Sequence, residues 1–168
     1  QRLSTVPITA PFLPPGNRQR PDTLIDWELG GIALQDASQG LQVQVWVVET
    51  DESAIFVYPE NDPDNVTTLL TDTEISDVSL AFNQNMDPHV AFQADGVQKL
   101  YWLDSQVSDF VVTEYPQATS GVLTTDDKRP IQTRQGTNDV LFFYLRGGAL
   151  YYRQQRDRFG EEYLLADP

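Results

Sequence analysis

Cysteine is absent from this chain, which excludes a disulfide framework, a thiolate zinc site and an iron–sulfur cluster. The single histidine, His89, rules out the common multi-histidine metal centres within one chain. No run approaches the roughly 18–20 consecutive apolar residues that a spanning helix needs, and the first residues lack the apolar core of a signal peptide. A soluble chain with no membrane insertion is the expectation. Basic residues are scarce where acids are plentiful: residues 21–120 hold eighteen Asp and Glu against one cation, Lys99. So acidic a body repels phosphate, and no nucleic-acid partner is expected.

What is present fits a folded domain. At 168 residues the chain matches the usual size of one domain, roughly 100–200 residues. Its aromatic content of 11% and hydrophobic content of 40% suit a β-rich core better than a disordered acidic segment. The net charge of −14 is unevenly spread. Residues 128–158 reverse the sign, with Lys128, Arg129, Arg134, Arg146, Arg153, Arg156 and Arg158 against Asp139 and Asp157. A solvated acidic surface accounts for this pattern; docking of the basic end of one copy on the acidic body of the next is the alternative.

Residues 1–26 read as an extended arm. Pro7, Pro11, Pro14, Pro15 and Pro21 remove backbone donors and disfavour helix at the preceding positions. Phe12 and Leu13, set among these prolines, are candidates for docking on a neighbouring surface, with a flexible terminus as the alternative.

From residue 27 onward, period-two alternation recurs and no sustained helical periodicity interrupts it. Three segments resemble one another, over 31–58, 78–104 and 121–157. Each reads as strand, polar turn, apolar strand, short turn and aromatic strand. Aligning Tyr58, Trp102 and Tyr152 gives offsets of 44 and 50 residues, in or near the roughly 40–50 residue period of propeller blades. Asp95-Gly96 and Gly147-Gly148 supply the positive φ that two-residue hairpin turns require. The expected fold is all-β, with three propeller-blade-like repeats of antiparallel hairpins behind a proline-rich arm; a sandwich or meander is the alternative. Propellers close with about 4–8 blades, so three blades need neighbours, and a homo-oligomer is expected.

Chemistry finds little raw material, and no enzyme and no cofactor are expected. Asp36, Asp87 and Asp126 each fall at the first hairpin turn of a repeat, where an acid ordinarily closes an Asx turn. Paired carboxylates could in principle hydrolyse glycosides, but that requires a separation of roughly 5–10 Å that spacing along the chain does not reveal. His89 follows Pro88 at the start of an apolar strand and reads as a packed residue. The run Asn61-Asp-Pro-Asp-Asn65 offers oxygen donors without the ordered ligand series of an EF-hand loop, and reads as a solvated loop. Among the aromatics, Trp46, Trp102 and Tyr151 are the candidates for a sugar-stacking platform, with core packing as the alternative.

Several runs carry a resemblance. Ser79-Leu-Ala-Phe-Asn-Gln-Asn-Met-Asp-Pro-His-Val-Ala-Phe92, Lys99-Leu-Tyr-Trp-Leu-Asp-Ser105 and Leu123-Thr-Thr-Asp-Asp-Lys-Arg129 are three of them. The fourth and most distinctive extends over 139–159, from Asp-Val-Leu-Phe-Phe-Tyr-Leu to Arg-Asp-Arg-Phe. Together they resemble a family of structural proteins of tailed bacteriophages. The resemblance spans about three quarters of the chain and implies a virion component of the tail or its attachment region, made in the host cytoplasm and present in several copies. It carries over no catalytic residue. Rings of identical subunits close through head-to-tail interfaces, and Arg153, Arg156 and Arg158 are the candidate inter-subunit contacts, with a solvated strand end as the alternative. The expected partners are copies of the chain and other virion tail proteins. A tail-tip or fibre module that binds a host-surface glycan is the alternative, and a carboxylate glycosidase stands third.

Overall fold

A computed structural model describes residues 27–35, 42–83, 87–126 and 139–168, with side chains described for 46–83, 87–125 and 139–168. The arm at 1–26, with Phe12 and Leu13, lies outside the described residues, as do Asp36, Lys128, Arg129 and Arg134.

Among the described residues, twelve strands form three four-stranded antiparallel sheets. The first sheet runs β1 (Trp27–Gln35), β2 (Gln42–Thr50), β3 (Ala54–Pro59) and β4 (Thr67–Thr71). The second runs β5 (Ser76–Phe82), β6 (Pro88–Ala94), β7 (Val97–Asp104) and β8 (Asp109–Tyr115). The third runs β9 (Thr119–Asp126), β10 (Asp139–Arg146), β11 (Ala149–Gln154) and β12 (Tyr163–Ala166), with one 3-10 turn at Gln155–Asp157. In every sheet spatial order equals chain order, so each is a simple meander. No helix among the described residues is long and apolar enough to cross a membrane.

The turns follow local chemistry. Asp95 (φ 52°) and Gly96 (φ 72°) join β6 to β7, and Gly147 (φ 58°) and Gly148 (φ 88°) join β10 to β11. Both pairs adopt the positive φ expected of two-residue hairpins. Between β2 and β3, Asp51 Oδ1 accepts from the Ser53 amide (3.0 Å), the Ser53 hydroxyl (2.8 Å) and the Ala54 amide (2.9 Å). Between β5 and β6, Asn83 Nδ2 donates to Asp87 Oδ2 (2.8 Å) and the Asp87 amide to Asn83 Oδ1 (2.9 Å).

Tyr58, Trp102 and Tyr152 fall in β3, β7 and β11, the third strand of each sheet. Two features depart from the sequence expectation. Each unit has a fourth strand, β4, β8 or β12, beyond the hairpins that alternation marked. Tyr58 also lies on the opposite face from its supposed equivalents: it pairs with Val47, while Val57, paired with Val48, faces the second sheet.

The sheets stack face to face, with β1 against β5 and β5 against β9. Two cores result. Between the first and second sheets lie Val48, Ile55, Val57, Leu80, Val90 and Phe92. Between the second and third lie Ala91, Leu100, Trp102, Val140, Phe142 and Phe159. Stacking of this kind is the common way for antiparallel sheets to bury one face each.

Candidate interaction surface

The three arginines singled out from the sequence cluster at the end of the third sheet, and each is engaged within the chain. Arg153 on β11 points into the seam between the second and third sheets. Its Nε donates to the Tyr144 hydroxyl (2.9 Å) and its Nη1 to the Phe159 carbonyl (3.0 Å) and the Gly160 carbonyl. Nη2 lies 3.3 Å from Glu162 Oε2, and the guanidinium covers the Tyr115 ring at 5.0 Å. Glu162 is the hub, because it also accepts from the Tyr144 hydroxyl and pairs with Arg146 at 2.7 Å. Burial pushes the Tyr144 phenol up to about 12, and the bond to Glu162 adds to the rise. Burial does the same to Tyr115, also to about 12.

Arg156 caps Asp139, donating from its amide (2.9 Å) and its Nε (2.5 Å). Arg158 crosses to the second sheet, where Nε is 3.2 Å from Asp104 Oδ1 and Nη2 pairs with Oδ2. The hydrogen bond from Arg158 holds the Asp104 carboxyl below its usual range. Both carboxylates are buried, while Arg156 and Arg158 remain exposed as well as paired.

These contacts seat Phe159. Arg158 (φ 53°) and Phe159 (φ 54°) both adopt left-handed backbone, a conformation that a bulky side chain rarely takes. The strain is held by the bond from the Phe159 amide to the Gln154 carbonyl (2.9 Å) and by burial of the ring, which packs edge-on to Trp102 at 5.2 Å and 6.1 Å from His89. His89 is fully buried, as its apolar strand implied. Its Nδ1 lies 3.1 Å from the Asp87 carbonyl, an acceptor only, so this nitrogen carries the proton; Nε2 has no partner among the described residues. Burial lowers its pKa to about 4.

The aromatic candidates for a sugar platform are not brought together. Trp46 packs 5.5 Å from Phe82 in the first seam. Trp102 is buried in the second, donating to Thr113 Oγ1 at 3.0 Å. Tyr151 lies under Arg146, 4.4 Å from its guanidinium, and stacks on Tyr144. Nor do the described turns gather a cation site: no group of three or more His, Cys, Asp or Glu among the described residues is arranged to hold a metal ion. Asp87 closes its turn, and the 61–65 run forms successive backbone turns, Asp62 amide to Pro59 carbonyl (3.0 Å) and Asn65 amide to Asp62 carbonyl (3.1 Å).

The feature that sequence reasoning missed is the outer face of the third sheet. Cross-strand pairing aligns Val122, Phe143, Tyr152 and Tyr163 in one row across all four strands. Phe143 stacks on Tyr152 at 5.7 Å and Tyr152 on Tyr163 at 5.1 Å. None of the four is buried, whereas Val140, Phe142 and Tyr144, which alternate with Leu141, Phe143 and Leu145 on β10, all are. A signal existed: the run Val140-Leu-Phe-Phe-Tyr-Leu145 is apolar at every position, and a strand apolar on both faces calls for two covers.

The described residues define a class: an all-β chain of three stacked antiparallel meanders, with the Val122, Phe143, Tyr152 and Tyr163 row on the outer face of the third sheet. Comparison with protein-family models, with curated proteins and with solved structures finds no match to the chain.

Proposed function

We propose that the chain is a bacteriophage virion structural protein, a component of the tail or its attachment region, that works by assembling with copies of itself and with neighbouring tail proteins. On this reading the three meanders are consecutive propeller-like blades. The observation that carries it is the open apolar face of the third sheet, a surface that demands a protein cover. Support also comes from the use of the distinctive 139–159 run: its residues build β10, β11 and the Phe159 plug, so they hold architecture together rather than lining a reactive cleft. Arg156 and Arg158 stay exposed beside their intrachain carboxylates, which leaves them available at the rim of a contact with another subunit.

Gradient-purified phage particles labelled with gold-conjugated antibody to this chain test the reading. Label at the tail or its attachment point is expected. A chain that stays wholly in the particle-free fraction of the lysate overturns it.

A further inference from the structure

The segment that follows β11 is fastened to the second seam side chain by side chain. Phe159 enters the seam against Trp102 and His89. Arg158 reaches Asp104 on β7, and Arg156 reaches Asp139 on β10. Glu162 pairs with Arg146 and Arg153 and accepts from the Tyr144 hydroxyl. Beyond these ties comes β12, an edge strand that pairs with β11 at three positions and leaves Leu164, Leu165 and Ala166 exposed.

Two features oppose the closed arrangement. Arg158 and Phe159 are kept in left-handed backbone, which neither side chain favours and which relaxes once the segment lets go. His89 is fully buried beside Phe159 with Nε2 unpartnered among the described residues, so the site holds the ring only while it is neutral: a second proton would have no acceptor.

The surrounding charges do not supply that acceptor. On its own turn, Asp87 accepts from Nδ1 through its carbonyl and directs its carboxylate to the Asn83 amide. On β7, Asp104 is engaged by Arg158, and on β10, Asp139 by Arg156. The β5 neighbour of His89 is Ala81, and β9 carries no charged side chain over 119–125. The Asp87 charge favours the imidazolium, but burial outweighs it.

We propose that residues 155–168 form an acid-released latch: protonation of His89 expels Phe159, and the segment leaves the second seam while β1–β11 keep their pairing, uncovering Trp102 and Tyr115.

Acid favours the open form because it binds more protons. Uncovered, His89 takes the ordinary pKa of 6.5; covered, it lies at about 4. The closed form is fully favoured above about 6.5 and loses ground as the pH falls toward 4, so opening at pH 5 is about thirtyfold more favourable than at neutral pH. Asp104, held low by Arg158, stays ionised at pH 5, which leaves His89 as the trigger.

Hydrogen exchange of the full chain at pH 7, 6, 5 and 4, read by mass spectrometry and corrected for the intrinsic pH dependence of amide exchange, tests the latch. The Arg158, Phe159 and Gly160 amides, each bonded in the closed form, and those of β12 should lose protection about thirtyfold between pH 7 and pH 5. Amides of β6 and β10 should keep theirs. In His89→Phe the segment's protection is expected to change less than twofold over the same range. Constant protection in the parent segment overturns the proposal, and so does a loss shared equally by β6 and β10, which is global unfolding. An equal loss in a folded His89→Phe variant overturns it too. The parent decides even where that variant does not fold: His89 is the single histidine, and a loss confined to pH 4 removes it as the trigger.

Discussion

Gly121 and Gln98 lock the third sheet to the second. The Gly121 amide donates to Gln98 Oε1 at 2.8 Å, and a Cβ placed on Gly121 would lie 2.4 Å from Gln98 Nε2. Gln98 is fully buried, and its Nε2 donates to the Phe92 carbonyl at 2.9 Å. The glycine is there for close approach, since any side chain would push the amide away from the one acceptor that satisfies it.

Gly121→Ala is therefore expected to destabilise the chain by about 1–3 kcal/mol, the usual range for overpacking or for an unsatisfied buried amide. Urea unfolding checks the single variant. Gln98→Ala with Gly121→Ala should cost less than the two singles added together, because shortening the glutamine relieves the clash; strict additivity would refute the contact.

Removing the Phe159 plug should strongly destabilise the second seam. Phe159→Ala is expected to cost about 3–5 kcal/mol, the range for deleting a buried phenyl ring. Loss below about 1 kcal/mol in urea unfolding would mean that Trp102 and His89 close over the gap.

His89 sets a pH dependence with a definite sign. Its folded pKa of about 4 lies below the ordinary 6.5 because the ring is buried neutral. The unfolded chain therefore binds more protons between these values. Stability is full above about 6.5 and falls as the pH drops toward 4, by about 3 kcal/mol for a shift of this size. Unfolding midpoints measured across this window should fall for the parent and stay flatter for His89→Phe. Equal slopes would show that the imidazole reaches solvent.

A second acid limb lies lower. Asp104, held down chiefly by its hydrogen bond from Arg158, and Asp72, held down chiefly by its bond from Lys99, both have lowered pKa values. Their contribution is present above the ordinary carboxylate pKa of 3.8 and is lost as pH falls through the folded values. Asp104→Asn should lower stability at neutral pH and flatten the decline below pH 4 while leaving the His89 window unchanged. An unaltered acid limb would show that Arg158 and Asp104 do not pair in solution.

Much of the fold was legible along the chain. Alternation marked the central hairpins, and Asp95-Gly96 and Gly147-Gly148 marked their turns, because strand period and positive φ are local properties. The fourth strands were not legible. Thr67–Thr71 and Tyr163–Ala166 are short edge strands, largely exposed, with little apolar alternation to betray them. Tyr58 was aligned with Trp102 by spacing, yet strand parity turns a one-residue offset into the opposite face.

The candidate surface was legible in part. Arg153, Arg156 and Arg158 stood out by charge, but their partners Glu162, Asp139 and Asp104 are distant or unremarkable in the sequence, and Asp104 lies 54 residues from Arg158. Trp46, Trp102 and Tyr151 stood out by type, and no local pattern separates an aromatic that lines a seam from one that faces outward.

By itself the sequence determined that the chain is all-β, that it is built from repeated hairpins, that its charge is polarised, and that thiolate and multi-histidine chemistry are excluded. These follow from composition, period and turn residues, each confined to a few neighbouring positions. Only the tertiary structure decided which face of each strand is covered, that Gln98 meets Gly121, and that Phe159 fills the second seam. Those outcomes depend on how one sheet lies on the next, a contact between residues far apart in the chain. The same stacking leaves the Val122, Phe143, Tyr152 and Tyr163 row on the outer face of the third sheet.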